Sequence, residues 1–200
     1  MINRGRLANL LGGLFLTILL LGLGQGAAHA QTKLIKPLNG GTLRITKSGS
    51  YFLGANYVTL VGASPVITVA VSNVTINLNG FSIISNATAG TTGATGINVL
   101  PGVSGVTVVN GGIIGIRGTA LILGSNGIAS GLQLIGNKGD GVQCTSSCLV
   151  TNNVITGNLG TGLNFSDATT GYQNNILNGN GTNVTGGTTL GHNLCSGTPC

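Results

Sequence analysis

A hydrophobic pattern with a period of 21 residues runs through the second half of this 200-residue chain. Short apolar runs begin at residues 121, 142 and 163, and the series continues at Val184. Glycine–asparagine pairs nearly keep the same step, at residues 136–137, 157–158 and 179–180. Fixed-period self-similarity indicates a solenoid, in which each repeat buries its apolar face only against the next repeat.

The repeats are predicted to consist of short β-strands joined by tight turns. Apolar residues alternate with small or polar ones in runs such as 67–69, 74–78 and 97–99, the pattern of a half-buried strand. Glycine, a turn-forming residue, accounts for 37 of the 200 residues. Three strands fit into each 21-residue repeat. Parallel stacking at about 4.8 Å per coil then gives an all-β solenoid of roughly seven or eight coils.

One stretch carries a family resemblance. Residues 73–83, Asn-Val-Thr-Ile-Asn-Leu-Asn-Gly-Phe-Ser-Ile, resemble the first full coils of right-handed parallel β-helix proteins of the pectin-lyase-like group. The later coils, with Gly-Asn followed by Gly-x-Gly, are similar to the repeats of the same family. The resemblance covers residues 51–187 and implies a right-handed parallel β-helix. It does not specify an activity, because the group includes lyases, hydrolases, epimerases and adhesins.

The first thirty residues are predicted to be a secretory signal peptide. Arg4 and Arg6 precede an uncharged apolar stretch at 7–24, and Ala28-His29-Ala30 has the small-residue pattern of a cleavage site. A retained membrane anchor is the alternative. After cleavage we expect no membrane-spanning segment, and the periplasm and the extracellular medium are equally open. The remaining chain is predicted to divide into an N-terminal cap at 31–50, a β-helix domain at 51–188 and a C-terminal tail at 189–200.

The charges argue against nucleic-acid binding. Without the leader, six basic side chains stand against Asp140 and Asp167, a net charge near +4. Four of the six lie between residues 33 and 47, so most of the excess positive charge lies near one end of the chain. Nucleic-acid binding usually requires a basic stripe with stacking aromatic residues. This chain has no tryptophan and few other aromatic residues, so we expect no nucleic-acid partner.

Four cysteines form two close pairs in the sequence, Cys144 with Cys148 and Cys195 with Cys200. In an exported protein such pairs favour disulfides. Three pairings are possible, and the two local ones are the most economical. Loops this short would add about 2 kcal/mol each in the chain-entropy description. A zinc site built from all four cysteines is the alternative, because both spacings fall in the usual range.

The recurring asparagines are predicted to be structural. Asn137, Asn158 and Asn180 occupy matching phases, so their side-chain amides can form a ladder from coil to coil. The adjacent glycines permit the left-handed backbone of a tight turn. A row of asparagines that binds a polar ligand is the alternative interpretation.

The sequence contains little catalytic machinery. Glycoside hydrolysis generally uses two carboxyl groups on either side of one bond, and Asp140 and Asp167 are predicted to lie at opposite ends of a strand. Calcium usually requires several acidic ligands, so we expect no metal and no cofactor.

One group of charged residues is a candidate catalytic site. Arg117 and Lys138 each precede a strand by four residues, so they are predicted to stack on adjacent coils, with Asp140 beside Lys138.

These patterns predict an exported, non-enzymatic parallel β-helix protein with a structural, carbohydrate-binding or adhesive role. Its expected partner is a polysaccharide or another component of the cell envelope, while the ligand-binding residues and the oligomeric state stay open. The alternative is a small lyase-like enzyme acting on an acidic polysaccharide, with Arg117, Lys138 and Asp140 as its catalytic residues.

Overall fold

The protein folds as a parallel β-solenoid. The computed structural model describes residues 32–36, 41–59, 65–85 and 93–200, and the expected signal peptide at 1–30 lies outside these ranges. Every regular element in the described ranges is a β-strand. Successive coils stack in parallel and form three faces around one apolar core. The predicted all-β class and the parallel stacking are therefore confirmed.

The first face is a seven-stranded sheet that contains one strand from each coil. Its order along the solenoid follows the order of the chain, so the number of coils is seven, within the predicted range. The strands are Leu43–Ile45, Ile67–Val69, Ile97–Val99, Leu121–Leu123, Val142–Cys144, Thr161–Phe165 and Thr182–Thr185.

The second and third faces share two long strands, Thr107–Ile114 and Ile128–Ile135, which cross the corner between the faces. The other strands of the second face are Lys33–Ile35, Gly49–Leu53, Val74–Asn77, Leu149–Thr151, Gly171–Gln173 and Thr188–Gly191. The other strands of the third face are Tyr57–Thr59, Ser82–Ser85, Val154–Thr156, Ile176–Asn178 and Leu194–Cys195, and Thr198–Pro199 pairs antiparallel with the last of them.

The register between coils follows the period read from the sequence. Leu121 pairs with Val142, which pairs with Leu163, which pairs with Val184. The earlier coils are longer, because first-face strands begin at residues 43, 67 and 97 before the regular series starts at 121. Their additional residues lie between strands, so the strands keep the same lateral position.

The stack extends beyond the boundaries expected from the sequence. Lys33–Ile35 and Leu43–Ile45 already pair in parallel with the following coil, so the segment expected to be a separate cap contributes strands to the solenoid. At the other end, Thr188–Gly191 and Leu194–Cys195 continue the second and third faces within the expected tail. These strands have two to four residues with at most one buried side chain each, so their alternation is too weak to recognise in the sequence.

The core consists of aliphatic side chains that stack at equivalent positions in successive coils. On the first face the inward column contains Ile67, Ile97, Leu121, Val142 and Leu163, each fully buried. Burying a side chain of this kind stabilises a fold by about 1.5–3 kcal/mol. Each of these residues packs mainly on the coils directly before and after it, so the stability of one coil depends on its neighbours.

The first predicted asparagine ladder is present at the corner that follows the third face. Asn137 Nδ2 donates to Asn158 Oδ1 at 2.8 Å, and Asn158 Nδ2 donates to Asn180 Oδ1 at 2.9 Å. Each amide also bonds to the backbone, because Asn158 Oδ1 accepts from the Asn137 N–H at 3.0 Å and Asn158 Nδ2 donates to the Leu134 carbonyl at 3.0 Å. The structural interpretation of these asparagines is confirmed.

A second asparagine ladder occupies the corner between the second and third faces. Asn153 Nδ2 donates to Asn175 Oδ1, and Asn175 Nδ2 donates to Asn193 Oδ1, both at 3.0 Å. The residue before each ladder asparagine has a left-handed backbone, as at Asn152 with φ 59° and Gly157 with φ 66°. This conformation turns the chain so that the next side chain points into the core.

The two disulfides join Cys144 to Cys148 and Cys195 to Cys200, and no cysteine of the chain is left free. The local pairing is therefore confirmed, and the zinc alternative is wrong because no thiolate remains to bind the metal. The second disulfide fixes the final strand, Thr198–Pro199, across the open edge of the third face. Proline and a covered edge both oppose pairing with another chain.

Replacing Asn158 with alanine is expected to lower the free energy of unfolding by about 3 kcal/mol. The substitution leaves a buried backbone N–H and a buried carbonyl without their amide partners, and each loss costs about 1–3 kcal/mol. Urea unfolding followed by circular dichroism measures the change. The matched control is Asn178→Ala, an exposed asparagine for which we expect a change within about 0.5 kcal/mol. Equal effects of the two substitutions would contradict the role of the ladder.

A charge in the core is expected to unfold several coils together. Val142→Asp places a carboxylate at a fully buried position, where the loss of hydration is not compensated, and we expect a loss of several kcal/mol. Val154→Asp makes the same chemical change at a side chain that is 37% exposed, and it serves as the control. The prediction fails if Val142→Asp leaves the thermal transition where it is in the unmodified protein.

Candidate functional site

The outward row of the first face brings together side chains that are distant in the sequence. The middle residue of a three-residue strand points away from the core when its two neighbours point inward. Parallel pairing in constant register then places these middle residues one above another. From the N-terminal end the row contains Arg44, Thr68, Asn98, Ile122, Gln143, Asn164 and Thr185.

Two adjoining depressions cover the middle of this row. One, of about 510 Å³, lies over Asn98 and Ile122 and is bordered by the segment 100–104. The other, of about 240 Å³, lies over Ile122, Gln143 and Asn164. The two share Ile122 and adjoining residues, so they form one groove across four consecutive coils. We call it the amide groove, with a floor of Asn98, Ile122, Gln143 and Asn164 and a wall at 100–104.

The floor of the groove is held by the sheet beneath it. Residues on either side of each floor residue are buried, as for Leu121 and Leu123 around Ile122. Strand pairing spaces successive floor side chains by about 4.8 Å. The wall is joined to the next coil by a parallel bridge between Ser104 and Ser125. A ligand in this groove would therefore meet a row of three amides and one aliphatic side chain on a fixed backbone.

Asp140 lies beside the groove and bonds to two of its amides. Its Oδ2 atom accepts from Gln143 Nε2 at 2.7 Å and from Asn164 Nδ2 at 2.8 Å. Its Oδ1 atom accepts from the backbone N–H of Thr161 at 2.6 Å. The carboxylate is seated over Gly160, where a Cβ atom would overlap Asp140 Oδ1. All three donors are uncharged, and two of them belong to the next coil.

Arg117 and Lys138 occupy equivalent positions on adjacent coils, as their spacing predicts. The backbone N–H of Lys138 donates to the Ile116 carbonyl at 2.8 Å, and that of Gly139 donates to the Gly118 carbonyl at 2.9 Å. Lys138 is exposed at the corner before the first face. The carboxylate of Asp140 bonds to amide donors instead of this ammonium group, so the geometry does not join the three residues into one cluster.

The two acidic side chains of the chain lie at opposite ends of a first-face strand, as predicted. Asp140 bonds to the backbone of Thr161, the first residue of the strand Thr161–Phe165. Asp167 follows the end of that strand, and its Oδ1 atom accepts from the Thr169 N–H at 3.0 Å and from Thr169 Oγ1 at 2.6 Å. Each carboxylate thus has its own local hydrogen-bond partners.

The groove residues were not identifiable as a ligand site from the sequence. Asn98, Ile122, Gln143 and Asn164 comprise three residue types, and only their common phase in the repeat connects them. The 21-residue period contains this signal, because the middle residue of each predicted strand must point outward once the flanking apolar residues point inward.

Comparisons of the chain with protein-family models, with curated proteins and with solved structures find no match. Membership of the pectin-lyase-like group therefore stays a prediction from the sequence resemblance.

In the part of the chain that the structure describes, no helix is long and apolar enough to cross a membrane. No three potential metal-ligating side chains come together within the same ranges.

Proposed function

We propose that this protein is an exported, non-enzymatic β-helix that binds a polysaccharide in the amide groove. The observation that carries the proposal is the in-register row of amide and aliphatic side chains across four consecutive coils. A groove that crosses several coils suits an extended polymer better than a compact metabolite.

The chemistry of the floor supports a carbohydrate ligand. Side-chain amides both donate and accept hydrogen bonds, as sugar hydroxyl groups do. Ile122 supplies an apolar contact between the amides of Asn98 and Gln143. Because hydrogen bonds to Asp140 hold the amides of Gln143 and Asn164, binding orders few of their rotamers and costs little conformational entropy there.

A binding role is supported over glycoside hydrolysis by the position of the acids. Hydrolases of polysaccharides generally place two carboxyl groups about 5–10 Å apart around the scissile bond. Here Asp140 and Asp167 are at opposite ends of a strand, and both are hydrogen-bonded to protein groups. Two disulfides favour an oxidising compartment. Together with the predicted signal peptide, they support a site of action in the periplasm or outside the cell.

The proposal is tested by size-exclusion chromatography of the exported protein with neutral and acidic polysaccharides, following polymer size and co-elution together. Co-elution without shortening is the expected result, and shortening of a polymer would contradict a non-enzymatic role. Gln143→Ala is expected to weaken binding about 3- to 10-fold, the effect of losing one hydrogen bond. The matched control is Gln133→Ala, an exposed glutamine on the third face, which should leave binding unchanged.

A double substitution separates binding from lyase activity. In the enzymatic alternative Arg117 and Lys138 act on an acidic polysaccharide, and replacing both with alanine would abolish any shortening of the polymer. If the amide groove only binds, the same variant should retain co-elution with the polymer that binds the unmodified protein within about twofold, because neither side chain lines the groove. A viscosity assay with the acidic polymer, run beside the co-elution assay, measures both outcomes.

A further inference from the structure

We infer that Asp140 sets the specificity of the amide groove, so that the groove takes neutral polysaccharides and rejects polymers of acidic sugars. The inference rests on the proposed function and names the class of ligand for that site. Asp140 is a positioning residue in this account, because it orients Gln143 and Asn164, which contact the ligand.

The first step concerns the orientation of the two amides. A carboxylate can only accept hydrogen bonds, so the group that faces it must be the amide nitrogen. The distances agree, with Gln143 Nε2 at 2.7 Å and Asn164 Nδ2 at 2.8 Å from the same Oδ2 atom. One carboxylate oxygen thus orients two amides from successive coils in the same way, with each amide nitrogen directed at Asp140.

The second step concerns what these amides present to a ligand. No donor in the described part of the chain bonds to the carbonyl oxygen of Gln143 or of Asn164. Both residues line the groove, so their carbonyl oxygens are available to accept from a ligand. A sugar hydroxyl can donate to such an oxygen, whereas the carboxylate of a uronic acid cannot.

The third step concerns the local charge. Asp140 bonds directly to the amides at one end of the floor strands, and Asp167 follows Ser166 of the groove lining at the other end. The only cation of the outward row, Arg44, is four coils from Gln143, or roughly 19 Å at about 4.8 Å per coil. That separation exceeds the screening length of about 8 Å. Lys138 and Arg117 lie at the same end of the first face as Asp140, but neither donates to its carboxylate, whose three donors are uncharged.

The backbone of the next coil determines the position of the Asp140 carboxylate. The Thr161 N–H holds Oδ1 at 2.6 Å, and the missing side chain at Gly160 leaves the space that the carboxylate occupies. Asp140→Asn keeps the size of the side chain but replaces one acceptor oxygen with a donor nitrogen. The variant then cannot accept from the Thr161 N–H on one side and from both amides on the other.

The test compares binding of a neutral glucan and of a polyuronate, at matched chain length, to the unmodified protein and to Asp140→Asn. We expect the unmodified protein to prefer the neutral polymer. In the variant, binding of the neutral polymer should weaken about 3- to 10-fold, since at least one amide loses its orientation. Binding of the polyuronate should strengthen, so that the ratio of the two dissociation constants changes at least about tenfold.

Asp167→Asn is the matched control, because it removes the same charge at the other end of the strand without contacting an amide of the floor. It should leave neutral-polymer binding unchanged. Side-chain amide resonances of Gln143 and Asn164 give a readout without ligand, and they should shift in Asp140→Asn only. Polymer binding with an unchanged ratio in Asp140→Asn, or an initial preference for polyuronate, overturns the specificity. If neither polymer binds the unmodified protein, the proposed function itself fails, and the specificity fails with it.

Discussion

The hydrogen bonds of the buried asparagines at the corners are the interaction on which the rest of this solenoid depends. A corner interrupts the strand ladder, and the inward residue after it has a backbone N–H that no strand can accept. The Oδ1 atom of an asparagine in the next coil accepts this N–H, as Asn158 does for Asn137 and Asn175 does for Asn153. A buried donor without a partner would cost about 1–3 kcal/mol at each corner. The ladders therefore allow tight turns inside a stack whose core is otherwise aliphatic.

The corners also determine where the candidate site lies. Because they return the chain to the same lateral position in each coil, the middle residues of the first-face strands must align on the outside. Alignment makes a row out of residues such as Ile122 and Gln143, which are 21 positions apart in the sequence. The wall at 100–104 converts one part of this row into a groove. The candidate groove is thus a consequence of coil geometry, while its chemistry depends on residues that the core does not constrain.

This division explains which features were predictable from the sequence. The strands at 121–123 and 142–144 and the ladder through Asn158 follow from periodicity, since each repeat must satisfy the same packing and hydrogen-bonding requirements. The disulfides follow from the short spacing within each cysteine pair. The first coils were harder to assign, because their lengths vary. Asn193 does not follow the period, since its interval from Asn175 is 18 residues instead of about 21. The contact of Asp140 with Asn164 was not predictable, because the spacing gives the phase of each residue but not the direction of its side chain.

The carboxylate of Asp140 contributes both to the fold and to the groove, because it bonds to the backbone of the next coil and to two amides of the groove floor. One of its donors comes from its own coil and two come from the next, so the group contributes to coil-to-coil contact as the ladder asparagines do. The difference is its position at the surface, where the oriented amides face a groove instead of a core. A carboxylate whose lone pairs are directed at protein donors is well suited to organising neighbouring side chains. In a chain with only two acidic residues, the ligand preference that we infer for the groove then depends on how this one group is held.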